Sequence, residues 1–132
     1  MEQLLYRSRA VDGLVAGEVF RIIEGSARDN PARDLTGFLI YAQDCFIQYL
    51  EGPHASLDLL LNELERDRRH HSIEVVYRSR ASERFCPGWR MQRIDFAPGK
   101  VAETLNQFRE KRIPAEVVSL VAQMLEPGRK AA

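Results

Sequence analysis

The sequence has 132 residues, a length that suits one domain able to bury a core without disulfides or a metal. Its 19 basic and 19 acidic residues cancel, so no general attraction to nucleic acid or an anionic membrane is expected. Cys45 and Cys86 lack metal-binding spacing and are expected to be reduced thiols. The N-terminus has no long apolar run, which predicts a cytoplasmic protein without a signal peptide or membrane span.

The first two predicted elements are a strand and a helix. Residues 3–9 alternate as a strand that places Leu4, Tyr6 and Ser8 on one face. Residues 14–28 carry one apolar stripe at helical spacing, and Asn30 before a proline ends this helix.

The middle of the sequence predicts a hairpin, a second helix and two further strands. Residues 35–42 and 45–51 read as hairpin partners around a turn at Gln43-Asp44. A helix then begins near Pro53, and its charged end is predicted to include the stretch ERDRRHH at 65–71. Further strands are predicted at 73–77 and 89–96. The order β-α-β-β-α-β with one added strand predicts an α+β fold: a ferredoxin-like sheet with two helices on one face.

The C-terminal part of the chain predicts a helical extension. Residues from about 100 to 126 predict two short helices, broken at Pro114, of which the second is amphipathic or nearly all apolar. An apolar helix pair needs a surface to cover, and the free face of the sheet is the expected one. The chain is therefore divided into a domain at 1–97 and an extension at 98–132.

Two polar residues interrupt the predicted apolar core. Gln48 lies inside the strand CFIQYLE, and Tyr6 lies inside the first strand. A buried amide or phenol must find a hydrogen-bond partner or destabilise the fold by about 1–3 kcal/mol. Both residues could equally be satisfied by the backbone at a sheet edge, so burial alone does not assign them a function.

Other polar and aromatic residues also have ordinary structural explanations. Asn30 suits a helix end, and Trp89 and Met91, which alternate on one predicted strand face, suit core packing. The three histidines have no convincing metal spacing, since His70 and His71 would diverge on a helix. No nucleotide-binding or hydrolase motif occurs, and no catalytic residues are expected.

Several stretches together resemble a known family. LLYRSRA, SARDNPARDLTGFLIY, FIQYLEGP, RDRRH and RFCPGWRMQ occur in order across residues 4–92. In this combination the chain resembles the BLUF domains, which sense blue light using flavin. One departure is Asp29, where some relatives carry a second Asn or a His.

The resemblance implies a flavin held non-covalently between the two main helices, with roles for single residues. Tyr6 matches the photoactive tyrosine, and Gln48 matches the glutamine that bridges it to the flavin. Asn30 matches the asparagine that hydrogen-bonds the pyrimidine side of the ring. Trp89 and Met91 match a switching pair that would relay the signal. The remaining implied cofactor-binding positions are Ser8, Ile22, Ser26, Phe46, Arg69 and His70.

The implied mechanism is an electron and proton transfer driven by light. Tyr6 would give up an electron, with a proton following through Gln48, whose side chain is left rotated or tautomerised. A new hydrogen bond to the flavin C4 carbonyl would then shift the absorption to longer wavelength. FAD is the expected cofactor, while FMN and riboflavin also fit the pattern.

The residues after the predicted flavin domain are too few for a cyclase or a phosphodiesterase. A photoreceptor without enzymatic activity is therefore expected, which signals through 98–132 to an unidentified partner protein and forms a homodimer. A small hydrolase of the acylphosphatase type remains an alternative, although residues 11–13 offer no arginine to hold a phosphate. A flavin-free interaction module is a third.

Overall fold

The structure is a computed structural model that describes residues 1–13, 18, 21–22, 25, 33–42, 44–94 and 98–125. Within the predicted helix 14–28, the described positions 18, 21, 22 and 25 are helical. The described residues form these elements: β1 (Glu2–Ala10), β2 (Thr36–Ala42), β3 (Cys45–Gly52), α1 (His54–Arg66), β4 (His70–Arg80), β5 (Gln92–Ile94), a 3-10 turn (Pro98–Lys100), α2 (Val101–Glu110) and α3 (Ala115–Met124).

The strands form one sheet in the order β4-β1-β3-β2-β5. β1 pairs antiparallel with both β3 and β4, and β2 pairs antiparallel with β3. β5 joins the outer edge of β2 in parallel. The four antiparallel strands have the predicted ferredoxin-like order, and the fold is α+β. β3 is the central strand, so a side chain in its middle is covered by neighbours on both sides.

Alternation along the strands gives the sheet two apolar faces. Leu4 of β1 and Leu50 of β3 belong to a core cluster that includes Leu57 of α1. Leu5 of β1 and Tyr49 of β3 belong to a second cluster on the opposite face. Because successive side chains of a strand point to opposite faces, each strand supplies both clusters.

The C-terminal helices cover the second face, as predicted. Phe108 of α2 is fully buried and stacks on Phe38 of β2 with ring centroids 4.3 Å apart. Val117 and Val121 of α3 are also fully buried in this cluster. α2 ends before Pro114, which precedes the first residue of α3. The extension is thus part of the hydrophobic core.

Three predicted boundaries are wrong. α1 ends at Arg66, so His70 and His71 are the first residues of β4 and not the end of a helix. β4 covers His70–Arg80, well beyond the predicted 73–77, because it pairs along the whole length of β1. β5 begins at Gln92, where it pairs with β2, and not at Trp89; the predicted end at residue 96 lies outside the described residues.

Gly37 allows a close approach of β2 and β3. A Cβ atom at this position would lie 1.8 Å from the carbonyl oxygen of Tyr49. No other residue has room there without separating the two strands. The amide of Gly37 also donates to the carbonyl oxygen of Trp89 at 2.8 Å, which ties the chain ahead of β5 to the sheet.

Candidate functional site

Tyr6 and Gln48 are direct partners across two adjacent strands. Their Cα atoms are paired in the register of β1 and β3. Since paired residues project to the same face, the two side chains meet, and the Tyr6 hydroxyl donates to Oε1 of Gln48. Tyr6 is 3% and Gln48 2% exposed. Burial, and then the negative charge of Asp67, raise the pKa of Tyr6 above its usual value, so the phenol is neutral and keeps its proton.

The amide of Gln48 also contacts the chain ahead of β5. Nε2 of Gln48 donates to the sulfur of Met91 at 3.2 Å, and Met91 is buried. A thioether is a weak acceptor, so this bond is weaker than the one from Tyr6. The polar groups of Tyr6 and Gln48 are therefore satisfied by side chains and not by a sheet edge.

A cavity of about 200 Å³ lies above this pair. Tyr6 and Gln48 are on its sheet side. Its other described lining residues come from the sheet, from positions 21, 22 and 25, from Arg33 and from α1 and the turn that follows. Apolar side chains supply walls on several sides: Ile22, Leu39, Phe46, Leu60 and Leu64.

The polar part of the lining carries charges of both signs. Arg69 donates to Asp67 through Nε, at 2.9 Å to Oδ1, and through a terminal nitrogen, at 2.6 Å to Oδ2. This bidentate bond lowers the pKa of Asp67. Arg33 pairs with Glu63 at 2.7 Å, and Arg21 completes the charged lining among the described residues.

His70 joins the cavity to the first strand. Its Nδ1 lies 2.7 Å from the hydroxyl oxygen of Ser8, and its ring meets Phe46 edge-on with centroids 6.0 Å apart. Burial lowers the pKa of His70, so the ring is neutral near pH 7. Ser8 is buried and contacts the cavity through His70, being absent from the lining itself.

Trp89 lies on the other side of the sheet. Its ring meets Phe38 and Phe108 edge-on at 6.3 and 6.5 Å, and Nζ of Lys111 lies 4.4 Å from its centre. Met91 packs in the cluster on the cavity side. The prediction that Trp89 and Met91 share one strand face is therefore wrong, because both precede β5 in chain that is not extended strand.

The described residues bring together most of the predicted site. Tyr6, Gln48, Ile22 and Phe46 line the cavity together with Arg69 and His70. Ser26 and Asn30, and also Asp29, lie outside the described residues.

Sequence reasoning missed several residues at the site. Leu39, Leu60 and Leu64 line the cavity and were not predicted to do so, although Leu39 pairs with Gln48 across β2 and β3. Asp67 was not singled out, although an acid two residues before Arg69 in the same turn could have suggested the pair. Glu51 is fully buried in β3 and was also missed.

The site suits a flat ring that is apolar on its faces and polar at one edge. Apolar walls bound the cavity, and Gln48 and the neutral His70 offer donors and acceptors. Pockets that enclose a drug-sized ligand measure about 300–1,000 Å³, so a cavity of about 200 Å³ suits a single ring system. Among the described residues, no group of three or more His, Cys, Asp or Glu side chains is placed to hold a metal ion.

Residues 1–92 match the family described as BLUF, "Sensors of blue-light using FAD". The chain belongs to this family, and FAD is its cofactor. A BLUF protein is a blue-light sensor that acts in signal transduction. This family membership overrules the two alternatives predicted from the sequence, a small hydrolase and a flavin-free interaction module. The isoalloxazine ring of FAD has the shape and polarity that the cavity requires.

Two curated relatives and one solved structure illustrate the likeness. The chain is 30% identical over 84 residues to photoactivated adenylate cyclase subunit beta of Euglena longa, covering 64% of this chain and 10% of that protein. It is 30% identical over 70 residues to the blue light- and temperature-regulated antirepressor BluF of Escherichia coli (strain K12). That match covers 53% of this chain and 17% of that protein. The chain thus spans a small part of these curated relatives.

The solved structure is that of BlrB, a BLUF protein in its dark state. It superposes with a TM-score of 0.73 at 26% identity, covering 94% of this chain and 96% of that one. Among the described residues, no helix combines the length and apolar character needed to cross a membrane.

Proposed function

We propose that this chain senses blue light through FAD bound non-covalently in the cavity, with Tyr6 and Gln48 as the light-responsive pair. The hydrogen bond from the buried Tyr6 hydroxyl to Gln48 Oε1 carries the proposal, because it places a proton donor beside an amide at the cavity wall. A phenol and an amide buried in an apolar sheet face destabilise the fold unless they are hydrogen-bonded, and here the two are bonded to each other.

The cavity residues would hold the ring by shape and by a few polar contacts. Ile22, Phe46 and Leu60 would contact its faces. Arg69, kept in place by Asp67, and the neutral His70 would face its polar side. Asn30, together with Ser26, is proposed as a further contact on the strength of the matched motif. Ser8 would orient the His70 ring through their 2.7 Å contact.

When bound, FAD supplies the absorption of blue light and accepts an electron. Tyr6 is suited to donate because its burial keeps the phenol protonated, so both an electron and a proton are available. The proton's first acceptor is Oε1 of Gln48, to which the hydroxyl already donates. Among the described residues, Gln48 Oε1 is the side-chain partner of that hydroxyl, which supports this path for the proton.

Gln48 can adopt two arrangements without a change in the β3 backbone. Its amide has one acceptor oxygen and two N–H donors, and a half rotation exchanges the two ends. In the present arrangement Nε2 donates to Met91 at 3.2 Å. After the exchange the oxygen faces the Met91 sulfur, which cannot donate, so this bond is lost. Gln48 and Met91 together therefore form a switch between two states.

Trp89 and Met91 would carry the change to the C-terminal helices. Met91 contacts Gln48 on the cavity side, and Trp89, two residues earlier, contacts Phe108 of α2 on the other. In this proposal residues 1–97 bind the flavin and residues 98–132 carry the output. The output is a changed contact with a partner protein or within a homodimer, and the chain itself catalyses no reaction.

Absorption spectroscopy tests this proposal directly. Purified protein supplied with FAD should be yellow, and its blue absorption band should shift to longer wavelength under blue light and return in the dark. Gln48→Leu keeps the volume of the side chain and removes the amide, so it should bind FAD without the reversible shift. Protein that fails to take up FAD, or a Gln48→Leu variant that still shifts, contradicts the proposal.

A further inference from the structure

Glu51 is a fully buried carboxylate that none of the proposed light chemistry uses. It lies near the end of β3, on the face covered by α2 and α3, because it is an even number of residues from Tyr49. Four donors surround its two oxygens: the amides of Cys86 (2.5 Å) and Phe85 (2.9 Å) and the hydroxyls of Tyr49 (2.9 Å) and Thr36 (3.3 Å).

The two amides belong to the chain that leads from β4 to β5. This stretch has no regular secondary structure, so its amides depend on individual acceptors. Arg84 adds contacts in the same place, donating to the carbonyl oxygens of Glu51 at 3.0 Å and Asp34 at 2.6 Å. One end of the stretch is thereby held on β3 by charge-assisted hydrogen bonds, which are roughly twice as strong as neutral ones.

The other end of the same stretch continues into β5, where Gln92 pairs with Phe38 of β2, and the side chain of Met91 there accepts the weak bond from Gln48 of β3. Gln48 and Glu51 are three residues apart in β3 and project to opposite faces of the sheet. Trp89 lies between the two attachments in the chain, and its amide donates to the carbonyl oxygen of Cys86 at 3.1 Å. The carbonyl oxygen of Trp89 accepts from the amide of Gly37 in β2 at 2.8 Å. The attachment to Glu51 therefore precedes Trp89, and the weak bond to Met91 follows it.

We propose that Glu51 is a positioning residue, which keeps Phe85 and Cys86 fixed on β3 when Gln48 releases the side chain of Met91. The inference rests on the proposed function of Gln48. With the Glu51 end held, displacement of Met91 moves the Trp89 ring against Phe108 of α2 and does not merely shift the loop. Without the Glu51 carboxylate, Phe85 and Cys86 lose their acceptor and the Arg84 contacts remain as the attachment at this end. Trp89 then follows Gln48 less closely.

The variant Glu51→Gln tests this role, with Glu83→Gln as its control. Glutamine accepts from one amide through its oxygen but turns an N–H donor toward the other, so Phe85 or Cys86 loses its acceptor. Hydrogen exchange at these two amides, followed by NMR in the dark, should accelerate about tenfold or more, as loss of a charge-assisted bond predicts. Glu83 is exposed in the same stretch, and its substitution should change neither rate by more than about twofold.

The second measurement uses fluorescence. Trp89 is the only tryptophan of the chain, so the light-induced change in tryptophan fluorescence reports this position alone. In Glu51→Gln the absorption shift of FAD should persist, because no cavity residue has changed, while the fluorescence change should fall to half or less. Glu83→Gln should retain both signals.

The outcomes separate the two proposals. A wild-type protein without the absorption shift overturns the proposed function. The exchange rates of the Phe85 and Cys86 amides in the dark still measure their attachment to Glu51. A Glu51→Gln variant with wild-type exchange at Phe85 and Cys86, or with a full fluorescence change, overturns the role of Glu51. If this variant does not fold, Glu51→Asp, which retracts the carboxylate and keeps its charge, is measured with the same expectations.

Discussion

Replacing Tyr6 by phenylalanine removes one oxygen atom from the centre of the site and leaves the ring in place. That oxygen is the donor to Gln48 Oε1 and the proposed source of the proton. The substitution therefore acts on stability and on the light response through the same bond. The apolar packing of the Tyr6 ring between Leu4 and α1 is retained.

The size of the effect on stability follows from burial. Gln48 is 2% exposed, so its oxygen has little access to water after the hydroxyl is removed. A buried polar atom left without its partner destabilises a protein by about 1–3 kcal/mol. With a urea dependence of about 1–3 kcal/mol per molar, the unfolding midpoint should fall by roughly 1 M.

Urea unfolding followed by circular dichroism measures this change, and absorption spectra of the same FAD-loaded protein measure the light response. Tyr41→Phe is the matched control, because the Tyr41 hydroxyl donates at 3.2 Å to Asp44 in an exposed pair. The control should change stability by less than about 0.5 kcal/mol and keep the shift to longer wavelength. Unchanged stability of Tyr6→Phe, or a persisting shift, would refute the assignment of this bond.

Three further perturbations give separate tests. Gly37→Ala should lower the free energy of unfolding by about 1–3 kcal/mol or more, since its Cβ would meet the Tyr49 carbonyl at 1.8 Å; a neutral result in urea would contradict the strand pairing. Phe108→Ala should lower it by about 3–5 kcal/mol, because the ring is fully buried; a smaller loss would mean that α2 is not firmly packed. Burial lowers the pKa of His70 below its ordinary 6.5, so the unfolded chain binds the extra proton first and stability should decline as the pH falls from about 6.5. His70→Gln should decline less over that range in urea titrations, and equal slopes would count against a buried neutral ring.

The alternation of strand residues was predictable because it depends only on local geometry. Leu4, Tyr6 and Ser8 were assigned to one face from their spacing, and the structure confirms it. The helical extension and its break at Pro114 were predictable for the same reason, because proline cannot continue a helix whatever the rest of the fold is. Those residues were predictable without knowledge of any partner strand.

The end of α1 was not predictable in this way. The stretch ERDRRHH suits a helix C-terminus by charge, yet the helix stops at Arg66 and His70 pairs with Ala10 in β4. The long β1 offers hydrogen-bonding groups along its whole length, and pairing with them satisfies the backbone of residues 70–72. Tertiary pairing thus overrode a local preference.

The sequence by itself determined the order of elements, the polar residues that interrupt the core and, through its ordered motifs, the family. Only the tertiary structure decided that Tyr6 and Gln48, 42 residues apart, share one hydrogen bond, and that Trp89 and Met91 point to opposite faces of the sheet. It also decided that Glu51 anchors the chain ahead of β5. The reason is physical: alternation is a property of one strand, whereas register and loop anchoring depend on hydrogen bonds between segments that are distant in sequence.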